Sequence, residues 1–84
     1  MLNVSVISPE ALVFEGQADS VVAPAFDGEV GILTGHAPMM TLLGKGILRV
    51  GRGSGAQTFK IEGGFLQVAE NAVRVVTEKA ASNS

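Results

Sequence analysis

Eighty-four residues leave room for one small domain, and 46% hydrophobic against 17% charged residues exclude a disordered tail. The absence of cysteine removes disulfides, thiolate metal sites and a cysteine nucleophile, and a single histidine removes most zinc sites and most catalytic triads. A net charge of −2 without Tyr or Trp argues against nucleic acid as a partner.

Along the chain, Leu2 to Ile7 alternates Leu2, Val4 and Val6 against Asn3 and Ser5, the period of a half-buried strand. This opening has neither the basic region nor the apolar stretch of a secretion signal, so a cytosol-like compartment is expected. No run approaches the ~20 apolar residues of a membrane span, so no direct membrane insertion is expected either. Further short strands are predicted at Leu12 to Phe14, Ala18 to Ala23, Val30 to Leu33, Met39 to Leu43, Ile47 to Val50, Gln57 to Glu62, Phe65 to Ala69 and Val73 to Thr77. Turns are predicted at Ser8-Pro9-Glu10, Phe26-Asp27-Gly28, Gly44-Lys45-Gly46, Gly51 to Gly55, Gly63-Gly64 and Glu70-Asn71. Arg49 and Arg74 interrupt apolar strands as solvent-facing positions do. The expectation is all-β: a small flattened β-sandwich of about eight to ten short strands over residues 1–78. Residues 79–84 are expected to form a short polar tail, although Glu78-Lys79-Ala80-Ala81 has the composition to begin a helix.

Chemistry-bearing motifs are weak. Gly51-Arg52-Gly53-Ser54-Gly55-Ala56 fits G-x-G-x-x-G/A, but dinucleotide binding needs a helix there, and Gln57 to Ile61 alternates as a strand. Gly44-Lys45-Gly46 lacks the first glycine and the Ser or Thr of a phosphate-binding loop. Asp27-Gly28-Glu29 offers two carboxylates, too few for a good cation site and typical of a tight turn, with Glu29 free for contact. His36, between Gly35 and Ala37-Pro38, has no nucleophile signature beside it. Met39-Met40 reads as core filler. No catalytic residue, metal or cofactor is expected.

Taken together, Asp27-Gly28-Glu29-Val30-Gly31-Ile32-Leu33-Thr34-Gly35-His36-Ala37-Pro38, then Gly44-Lys45-Gly46 and Glu62-Gly63-Gly64-Phe65, resemble the ε subunit of the F-type ATP synthase, called δ in mitochondria. Val4 to Glu10 and Val13 to Gly16 also look like that family's start, so the likeness runs from Leu2 to about Ala81. Thr34 stands where the family usually has Pro, Glu62 replaces a small or polar residue, and the basic residue of Gly44-Lys45-Gly46 is shifted. The family's C-terminal helical hairpin is absent from these residues, so no nucleotide binding is expected of them.

The resemblance implies a non-catalytic part of the rotor, at the cytoplasmic face of an energy-transducing membrane. There it would link the γ subunit to the c-ring and couple proton translocation to ATP synthesis. Carried over by motif, Glu29, Val30, Gly31 and His36 are expected in loops facing the c-ring, with Met39 and Thr41 toward γ. The alternative is a carrier module of the lipoyl or biotinyl type, which needs a lysine at a hairpin tip. Lys45 between two glycines lacks the flanking residues of that type.

Overall fold

Period-two patterning becomes strand wherever it occurs. The computed structural model describes residues 1–82. In β1 (Leu2–Ile7), Leu2, Val4 and Val6 are buried while Asn3 is exposed. Nine more strands follow: β2 (Leu12–Ala18), β3 (Ser20–Ala25), β4 (Gly28–Leu33), β5 (Met39–Leu42), β6 (Lys45–Val50), β7 (Gln57–Glu62), β8 (Phe65–Ala69), β9 (Ala72–Val76) and β10 (Lys79–Ser82). They form two five-stranded sheets, ordered β2-β1-β9-β8-β5 and β10-β7-β6-β3-β4. The fold is therefore the expected all-β sandwich, and no α-helix occurs among the described residues.

The core lies between the sheets. Leu2, Val4, Val6, Leu66, Val68, Val73 and Val75 face it from one side, and Val21, Ala23, Ile32, Leu48, Val50, Phe59 and Ile61 from the other. Phe14 leans across the open flank onto Phe59, their ring centroids 5.7 Å apart and tilted by 54°. Arg49 and Arg74 are exposed as their strands' patterning requires. The first and ninth strands run parallel, with Asn3 opposite Ala72 and Ile7 opposite Val76, so residues near both ends of the sequence share one sheet.

Three differences from the sequence reading have physical causes. Strand β2 runs on to Ala18 instead of stopping at Phe14, because Gly16, which reads as a break, lies under the Phe14 ring; a Cβ there would sit 3.0 Å from Cζ. Gly44-Lys45-Gly46 is not a tight turn: Lys45 and Gly46 open β6, and Gly44 is where the chain passes from one sheet to the other. Residues 79–82 are neither a tail nor a helix start. They pair with β7, Lys79 opposite Glu62 and Ala80 opposite Ile61, and half-buried Ala80 packs on the core. Small alanines hide this edge strand from any hydrophobic pattern. Asn83 and Ser84, the end of the expected tail, lie outside the described residues.

The sheet-crossing segments brace one another at one corner. The Leu43 N–H donates to Gly64 O (2.9 Å), Gly63 N–H to Gly44 O (3.2 Å) and Gly44 N–H to Pro24 O (2.8 Å). The Thr77 hydroxyl is buried against three carbonyl oxygens, those of Glu62 (3.1 Å), Gly63 (2.9 Å) and Lys79 (3.0 Å). Gly64 has φ +100°, and a Cβ there would lie 1.9 Å from Val76 O, so only glycine fits. The two glycine motifs that stand apart in the sequence are thus one structural joint.

Candidate functional site

The sequence-selected residues fall along one edge of the sandwich. Strand β4 is the outermost of its sheet, and β5, reached through residues 34–38, is the outermost of the other. A bridge between Ala25 and Leu43, with the Phe26 N–H bonded to Leu42 O at 3.0 Å, ties the β3–β4 turn to the end of β5.

Glu29, Val30 and Gly31 lie inside β4, opposite Pro24, Ala23 and Val22, as the strand predicted from Val30 has it for the last two and not in a loop as the resemblance implied. The apolar positions Val30 and Ile32 require strand there, and Gly28 at φ +131° makes the preceding turn. Glu29 is exposed and Val30 is half-buried, packed on the core. Gly31 is exposed on ordinary extended backbone, and nothing lies within 4 Å of where a Cβ would stand. Its own fold therefore does not require glycine. A side chain is missing where only something outside the domain would meet it.

His36 sits beyond the other end of β4, three residues past Leu33. Glu29 and Gly31 share β4, and His36 lies in the loop that follows it. Its N–H closes a turn on Leu33 O (3.0 Å), and ring Nδ1 lies 2.7 Å from Ala37 O. Gly35, at φ +85°, is held from outside the loop: its N–H donates to Oδ1 of Asn71 at 2.8 Å.

Strand β5 divides by pleat. Met39 and Thr41 are half-buried, and Met39 packs on the core. Met40 and Leu42 point outward, 64% and 63% exposed, so Met40 is not the core filler expected. Leu42 begins an apolar row across the outer face of this sheet: Leu42 opposite Phe65, Phe65 opposite Val76, Val76 beside Ile7 and Ile7 opposite Leu12. Sequence reasoning missed Met40, Leu42 and Asn71. A four-residue strand with three apolar positions shows its period but not which phase faces the core.

Other motifs lose their functional alternatives. The Gly51 to Ala56 segment holds a single 3-10 turn, Gly53–Gly55, and leads into β7, so the helix that a pyrophosphate needs does not start there. Lys45 is not at a hairpin tip; it pairs with Glu62 on β7 (3.4 Å), which also meets Lys79 of β10 (3.8 Å). That removes the geometry a carrier lysine needs. Among the described residues no three His, Asp or Glu side chains gather as a metal site would require, and no helix is long and apolar enough to cross a membrane.

The motif residues thus lie on the outermost strands of an all-β sandwich and on the loop between them. The chain belongs to the ATP synthase delta/epsilon chain β-sandwich domain family, which matches residues 1–83. It is 44% identical over 80 residues to the ATP synthase epsilon chain of Leptospira borgpetersenii and 38% identical over 79 residues to that of Gloeothece citriformis. These matches take in 95% and 94% of this chain but 63% and 57% of the relatives, so the chain spans less than two thirds of their length. Its fold also matches a chain of the mitochondrial ATP synthase of Euglena gracilis, solved as OSCP, F1 and c-ring, with TM-score 0.87 and 24% identity, covering 96% of this chain and 52% of that one.

Proposed function

We propose that this domain is a non-catalytic rotor part of an ATP synthase, placed between the γ subunit and the c-ring and coupling proton translocation to ATP synthesis. It would lie at the cytoplasmic face of the membrane, held there by its partners. The reading is supported by the family and by relatives named ATP synthase epsilon chain. The observation that carries it is Gly31: a bare, exposed position on an edge strand, next to exposed Glu29, whose glycine the domain itself does not need. Such a position serves close approach by another chain.

The c-ring contact in this reading runs along β4, through Glu29, Val30 and Gly31, and reaches His36 as a second point. Glu29 there faces basic or polar loop residues, in a rim ion pair worth about 0–1 kcal/mol, which sets register more than affinity. Affinity must come from apolar area. The γ contact is placed on the β5 edge beside Met39 and Thr41, where outward Met40 and Leu42 lead into the apolar row. Purified γ immobilised on a support tests this: it retains the chain under conditions where an unrelated β-sandwich of similar charge washes through. Equal loss of both would refute the proposal.

A further inference from the structure

We propose that Asn71 is a positioning residue that holds the His36 loop in its contact geometry, an inference that rests on the rotor reading above. The β8–β9 turn is made by Glu70 and Asn71, both left-handed, at φ 49° and 63°. Asn tolerates that conformation, and glycine would serve the turn as well. The Asn71 side chain does something a turn does not call for. Its Oδ1 accepts the Gly35 N–H at 2.8 Å, across 36 positions of sequence and between two loops that share no strand. Its own carbonyl accepts the Asn3 N–H at 2.8 Å, which anchors the turn to the start of β1. The acceptor is therefore fixed on both sides before it reaches the loop.

Two consecutive amides of the loop are then held, Gly35 by Asn71 and His36 by Leu33 O at 3.0 Å. The His36–Leu33 bond closes the turn from within, and with Gly35 at φ +85° the contact from Asn71 is what ties it to the β8–β9 turn. His36 is thereby presented from a loop braced to the opposite sheet, since β8 and β9 belong to the sheet that does not contain β4.

Asn71→Gly keeps the left-handed turn and deletes only the acceptor, while Asn71→Asp keeps both. Amide exchange followed on the chain should show the Gly35 N–H exchanging about 2- to 10-fold faster in Asn71→Gly, the range one neutral hydrogen bond supplies, and restored in Asn71→Asp. Protection in β1 and β9 should stay unchanged in both variants. In the assembled complex, ATP-driven proton pumping should fall with Asn71→Gly and recover with Asn71→Asp. Unchanged Gly35 exchange in Asn71→Gly would overturn the proposal, as would faster exchange with full pumping. Glu29→Lys in the same preparation separates the two claims. If it lowers pumping while Asn71→Gly does not, positioning alone fails. If neither lowers it, the rotor reading fails as well.

Discussion

Thr77 gathers three backbone carbonyls around one side chain. Its single hydroxyl proton serves one of three carbonyls at a time, and it is 2% exposed. Thr77→Val keeps the shape and removes the hydroxyl from that part-buried corner, so it should cost about 1–2 kcal/mol in urea unfolding. Gly31 makes the opposite case. Alanine fits its backbone and meets nothing, so Gly31→Ala should leave stability unchanged or raise it by up to ~1 kcal/mol, as glycine in a strand usually costs. The same change should weaken coupling in the assembled complex. A variant that is more stable yet less functional can only be explained by contact. At this scale the sequence marked Gly31 by motif, but nothing in it separates Gly31 from Gly64; the difference is a φ angle and the space around a missing Cβ.

Elements were legible in proportion to their alternation. The first and seventh strands appear with the bounds their patterning predicts, because each sets apolar against polar residues over five positions; the eighth does so as an apolar run bounded by Gly64 and Glu70. Strand β10 was hidden, since Lys79, Ala80 and Ala81 show no period, and it is pinned instead by pairing to β7 and by the exposed Lys79–Glu62 contact at 3.8 Å. The orientation of β5 was equally hidden, and it decides which residues can touch a partner. Outward Leu42 loses no core packing when changed, so Leu42→Glu should alter domain stability by no more than ~0.5 kcal/mol. It should nevertheless abolish retention by immobilised γ, whereas Met39→Leu, a volume-conserving change beside the core, should leave retention intact.

The molecule measures 28 × 27 × 22 Å, a block with one braced corner where the chain crosses between the sheets. Its chain repeatedly changes sheets, and β1 pairs in parallel with β9, so a push on one edge is carried through the close-packed core. The rotor role proposed above calls for that stiffness. The fold class was legible from spacing and glycine punctuation; the layout of the contact edge was not, because register and sheet order depend on pairings between distant residues. The most direct test is proton pumping per ATP hydrolysed by complexes reassembled with Glu29→Lys. The exposed side chain adds nothing to the core, so the domain should unfold within ~0.5 kcal/mol of the parent. Hydrolysis should continue while pumping per ATP falls by roughly half or more, the scale expected when a register-setting charge is reversed. Pumping per ATP equal to that of the parent complex would contradict the account.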